Sequence, residues 1–124
     1  MTQGQHDEKT IFIIEDDAEI GAMLLQVIRF ETFYQVVLAT DSLQALEVVK
    51  NIQPILFIFN YWLPHMNGIE LYDKLHAIPA LARVPALMMS AYLPNEELEK
   101  RGIVGIAKPF DLDDLLATIV RLID

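Results

Sequence analysis

Five short apolar runs, separated by stretches whose hydrophobic residues recur with a helical period, constrain the possible folds of this chain most. The runs are residues 11–14, 36–39, 55–59, 86–89 and 103–107. Each is nearly continuous in hydrophobic residues instead of alternating, the pattern expected of parallel strands covered on both faces by helices. Pro54 and Pro85 stand just before two of the runs, where a missing ladder donor does least harm.

Between the runs lie the predicted helices. Ile20, Met23, Leu24, Val27 and Ile28 follow the i, i+3, i+4, i+7, i+8 rule. Leu112, Leu115, Leu116, Ile119 and Val120 repeat it near the C-terminus, with Ile123 extending the stripe and Asp111 and Asp114 as cap and first-turn acid. Gly68, Leu71, Tyr72 and Leu75 mark a third helix, residues 43–52 one with a weaker stripe, and residues 95–101 a short one. Strand and helix thus alternate five times. Parallel strands need crossover connections, which are right-handed almost without exception. The expected fold is α/β: a doubly wound five-stranded parallel sheet in three α/β/α layers, with flavodoxin-like topology.

At 124 residues the chain suits one domain, expected over residues 10–124. Met1 to Lys9 is polar, carries no apolar stretch of signal-peptide type, and is expected to be a flexible lead-in. With 53% hydrophobic and 22% charged residues, the sequence is too apolar for a disordered chain. No apolar run approaches the roughly 18 residues that suggest a membrane span. The chain has no cysteine, which excludes disulfides, thiolate metal sites and cysteine nucleophiles and fits a reducing cytoplasm. Eighteen acidic against nine basic residues give a net charge of −9, a field that repels phosphate backbones and argues against direct nucleic-acid binding.

In doubly wound sheets, function gathers at the carboxyl ends of the strands. Those ends carry Glu15 and Asp16, then Asn60, then Ser90, then Lys108. Taken singly, each has a plain structural role. Glu15, Asp16 and Asp17 suit a helix N-terminus, where the dipole favours acids, although several carboxylates also suit a hard cation such as Mg²⁺. Asn60 suits a turn, Ser90 is a strand-end serine, and Lys108 is a rim lysine followed by Pro109.

Together they are far more specific. The segments IFIIEDDAEI, NYWLPHMNGIEL, SAY and AKPF, with Pro64 and Gly68 four and eight positions after Asn60, are those of a known family. From about Thr10 onward the chain resembles the receiver domain of two-component response regulators, the CheY-like superfamily. The resemblance implies a phosphoacceptor position at Asn60, normally an aspartate that takes a phosphoryl group from a phosphohistidine of a histidine kinase. It implies Mg²⁺ held by Glu15, Asp16, the residue at 60 and the backbone carbonyl of Trp62. Lys108 would neutralise charge on the phosphoryl group, and Ser90 would hydrogen-bond it. An aromatic residue three before the lysine would then turn inward and alter the surface used by partners.

The chain departs from that pattern twice. A neutral carboxamide at Asn60 offers no oxygen nucleophile comparable to a carboxylate, and it weakens the Mg²⁺ site by one charge. Its NH₂ group can instead donate to Glu15 or Asp16. Three positions before Lys108 stands Gly105, with no side chain to rotate. The first expectation is therefore a phosphorylation-incompetent pseudo-receiver, a protein–protein interaction module that requires no cofactor. The second is a working phosphoacceptor whose aspartate was changed to Asn60 by engineering. A flavin-binding protein of the same topology is rejected, because the EDDAE loop would repel a phosphate. The resemblance implies a histidine kinase or an output protein as partner, and homodimers through the last helix and its neighbours. Trp62 is expected to pack, with shielding of the acid pocket as the alternative, and His65 and His76 to lie on the surface.

Overall fold

The computed structural model describes residues 9–123, so the expected lead-in, residues 1–8, lies outside the described residues. The five strands are β1 (Thr10–Ile14), β2 (Gln35–Ala39), β3 (Pro54–Asn60), β4 (Ala86–Ser90) and β5 (Val104–Ala107). The helices are α1 (Ala18–Glu31), α2 (Ser42–Val48), α3 (Gly68–His76), α4 (Asn95–Arg101) and α5 (Leu112–Ile123). All strand pairings are parallel, in the order β2-β1-β3-β4-β5. This is the doubly wound arrangement that the alternation predicts.

Successive strand side chains point to opposite faces, so each buried strand feeds two cores. Phe12, Ile14, Phe57, Phe59 and Met88 face the layer of α2, α3 and α4, with Ala45, Leu71, Leu75 and Leu98 packed there. Ile11, Ile13, Leu56, Ile58, Leu87 and Met89 face Leu24 and Ile28 of α1 and Leu115 and Ile119 of α5. Among the described residues, no helix is long and apolar enough to cross a membrane.

Three expectations about elements need correction. The two outer strands are not covered on both faces: β2 is mostly half-buried and β5 alternates between half-buried and exposed. Strand order, not composition, assigned them to the edges, where one flank has no neighbour. The weak helix at residues 43–52 is α2 followed by a tighter turn, Val49–Asn51. Pro54 lies inside β3 and not before it; lacking an N–H, it coincides with a register shift between Thr10 and Ile11. The remaining boundaries differ by a residue or two, as helix and strand ends do.

Gly68 lets the sheet and α3 meet. Its N–H donates to Tyr61 O at 2.7 Å. A Cβ there would lie 2.9 Å from Asn60 O and from Met88 Cε. Asn67 closes a capping box with Glu70 at the same helix start. The loop after β3 is thereby held close to the strand that carries Asn60. Ser42, fully buried, adds a hydroxyl donated to Met66 O at 2.8 Å.

Candidate functional site

Parallel strands place all their carboxyl ends on one rim, and β1 lies beside β3. Glu15 and Asp16 therefore meet Asn60 across that boundary. Lys108 follows β5 and its N–H donates to Ser90 O at 2.9 Å, which ties the β5 end to β4. The Lys108–Pro109 peptide bond is cis.

The acid triplet divides its labour. Asp17 is the helix cap: its side chain accepts from Glu19 N at 2.9 Å and Ile20 N at 3.1 Å. Asp16 is exposed at the rim. Glu15 points inward and is only 1% exposed. The structural and functional expectations for this triplet thus fall on different residues.

Asn60 is the hub. Its Nδ2 donates toward Glu15 Oε2 at 3.3 Å, Asp16 Oδ1 at 3.3 Å and Trp62 O at 3.2 Å. Lys108 Nζ lies 3.5 Å from Asn60 Oδ1. Only this orientation of the amide is chemically consistent, since its reverse would set an oxygen against two carboxylates and a carbonyl. An NH₂ group has two hydrogens for three acceptors. The contacts are accordingly longer than the usual ~2.9 Å.

The three oxygens that would hold a hard cation are therefore already gathered around a nitrogen. A cation at that point would require the amide to turn its Oδ1 inward, and with one negative charge fewer than a carboxylate these residues do not fit a tightly held Mg²⁺. Among the described residues, no group of three or more His, Asp or Glu side chains is placed to hold a metal ion.

Burial pushes the Glu15 carboxyl above its ordinary range, partly opposed by the Asp17 N–H that it accepts and by Lys108. Lys108 Nζ is 3.5 Å from Glu15 Oε1, a charge attraction without hydrogen-bond geometry, and that oxygen has no hydrogen-bond partner. A carboxyl raised by folding contributes stability that is complete below its unfolded value of 4.5 and lost as pH climbs through the folded value. At pH 7 the ionised group therefore costs stability. Glu15→Gln should raise Tm at neutral pH, with the gap closing toward pH 4. Thermal melts across that range check the sign. A variant less stable than the parent at pH 7 would mean that Lys108 and Asn60 more than offset burial.

Ser90 is buried, but its hydroxyl is turned to the following loop: Oγ donates to Tyr92 O at 3.0 Å and accepts from Tyr92 N at 3.2 Å. Trp62 contradicts its expectation. It is 66% exposed, resting edge-on against Tyr61 at 4.8 Å, because the turn after Asn60 directs it off the sheet rim. His65 is exposed as expected, at a positive φ of 78°. His76 is not a surface residue. Its ring stacks on Tyr72 at 3.7 Å, with Nδ1 2.9 Å from Tyr72 O and Nε2 2.7 Å from Val84 O.

At Gly105 the empty position is filled from elsewhere. A Cβ there would lie 2.8 Å from Leu98 Cδ1 and 3.0 Å from Leu93 Cδ1. Sequence reasoning missed Leu93, whose only signal is an apolar residue between Tyr92 and Pro94, ahead of the acidic stretch that begins at Glu96.

Comparison with known proteins bears directly on this geometry. Residues 11–120 match the family model of the response regulator receiver domain. Sporulation initiation phosphotransferase F of Bacillus subtilis is 33% identical over 109 residues, covering 85% of this chain and 86% of that protein. Hybrid signal transduction histidine kinase D of Dictyostelium discoideum is 25% identical over 121 residues, of which this chain spans only 8% of the length. A CheY-like receiver domain protein from Methanospirillum hungatei superposes with a TM-score of 0.85 at 30% identity, covering 94% of each chain. The strand order, the acid pair, the lysine and the family match agree, and the chain belongs to the response regulator receiver domain family, a family of signalling modules.

Proposed function

We propose that this receiver is a pseudo-receiver: a protein–protein interaction module of two-component or phosphorelay signalling that does not run the phosphorylation cycle. The observation that carries the reading is the Asn60 amide, whose nitrogen engages Glu15, Asp16 and the Trp62 carbonyl together. An acceptor aspartate would put three carboxylates beside one ammonium and would need a divalent cation to offset them. With Asn60 the count is two carboxylates to one ammonium, and the amide's own donors serve both. Mg²⁺ binding is then weak and not required. The filled space at Gly105 supports natural divergence over a single engineered change, because a second part of the switch is absent and its place is packed.

The partners that fit are a histidine kinase or an output protein. The relatives point the same way, since one is a hybrid histidine kinase by name. The test is incubation with Mg²⁺ and acetyl phosphate, then intact-mass measurement. The mass should stay unchanged. A hydroxylamine-labile gain of one phosphoryl group would overturn the proposal.

A further inference from the structure

We propose that α4 is fastened to α3 and plugged into β5, so that the surface formed by α4 and β5 keeps one conformation irrespective of the Asn60 pocket. The inference rests on contacts remote from that pocket, and it stands whether or not Asn60 is silent.

Arg101, the last residue of α4, is the fastening. Its Nε donates to Asp73 Oδ1 of α3 at 2.7 Å and its Nη2 to Asp73 Oδ2 at 2.9 Å. This is the two-pronged geometry in which a guanidinium binds a carboxylate most strongly. Nη1 turns back to Glu97, reaching Oε1 at 2.8 Å and the backbone O at 3.1 Å. All three guanidinium nitrogens are engaged, so the side chain has little freedom to lose. The Arg101 hydrogen bonds hold the Asp73 carboxyl below its ordinary range.

The α3 side contributes a second tie. Tyr72 OH donates to Arg101 O at 3.0 Å, and the Tyr72 ring is itself stacked on His76. One α4 residue is thus held by its side chain and its carbonyl, both to α3. The helix end is also closed: Gly102 takes a left-handed φ of 68°, Gly102 N donates to Glu99 O, and Ile103 N donates to Leu98 O. That pair of bonds is a Schellman motif, with Leu98 and Ile103 both buried beneath it.

The other end is held by packing. Leu93, just before α4, and Leu98, within it, occupy the space over Gly105 of β5. Shifting α4 would uncover both leucines and break the fork to Asp73 in the same movement. Packed contacts of this kind rearrange between discrete states and do not deform continuously.

The test uses the whole chain and two conservative surface variants, Asp73→Asn and Arg101→Gln, followed by amide hydrogen exchange and ¹⁵N relaxation dispersion. In the parent, the amides of Leu98, Arg101 and Gly102 should show no microsecond-to-millisecond exchange. In both variants their hydrogen exchange should accelerate about two- to fivefold, while β3 is unaffected. Adding Leu93→Ala to Asp73→Asn should accelerate it further. Dispersion at α4 in the parent, or parental exchange rates in both variants, would overturn the proposal.

Discussion

Asn60→Asp should yield a pocket that gains a single hydroxylamine-labile phosphoryl group from acetyl phosphate, and only with Mg²⁺ present. Glu15, Asp16, the Trp62 carbonyl and Lys108 already surround the substituted position, so the exchange restores the missing nucleophile without rebuilding its surroundings. The bond formed is from a carboxylate oxygen to phosphorus, with acetate leaving. The same exchange should make the metal-free protein less stable. A third carboxylate would stand where an amide now donates, at a cost of about 1–3 kcal/mol in EDTA. Millimolar Mg²⁺ should return that loss by mass action. Intact-mass spectra and melting curves with and without Mg²⁺ read both effects. A folded Asn60→Asp variant that binds Mg²⁺ yet takes no phosphoryl group would show that the pocket is impaired beyond Asn60. With α4 fastened to α3, the phosphorylated variant should still leave α4 unmoved.

The largest loss of stability should come from Phe57→Ala. Phe57 is fully buried at the middle of β3, the central strand. Its ring lies 6.2 Å from that of Phe12, 6.4 Å from Phe59 and 5.7 Å from His76, so its removal leaves a void under both α3 and the sheet. Truncating such a ring costs about 3–5 kcal/mol, or roughly 10–20 °C in Tm for a domain of this size. Phe33→Ala is the matched control. That ring is fully exposed, and its loss should shift stability by less than about 0.5 kcal/mol. Urea titrations of the two variants separate burial from hydrophobicity as such. Equal losses in both would mean that Phe33 is covered in solution.

Much of the site is legible in the sequence, because strand ends are legible. A run such as residues 55–59 must end somewhere near Asn60, and parallel strands leave Asn60 and Glu15 on the same rim. Residues whose role depends on direction are less readable. Glu15, Asp16 and Asp17 read as one run of acids, yet one is buried, one sits at the rim and one caps a helix. Trp62 reads as a packing residue and is exposed. His76 reads as a surface residue and is half-buried, stacked on Tyr72 and edge-on to Phe57. An aromatic ring or an imidazole is amphipathic enough to suit either environment, so composition has no preference to report.

The order of residues alone determined the five strand–helix units, the parallel sheet, and which side chains reach the rim at the strands' carboxyl ends. Those follow from short-range periodicity and from the handedness of crossovers, both of which are local properties of the chain. Only the tertiary structure decided which strands became edges, that the Asn60 nitrogen faces three oxygens, and that leucines fill the space over Gly105. The Asn60 contacts join groups 44 and 45 positions apart in sequence at 3.3 Å, and a linear pattern encodes neither the direction of a side chain at such a meeting nor the order in which strands pair.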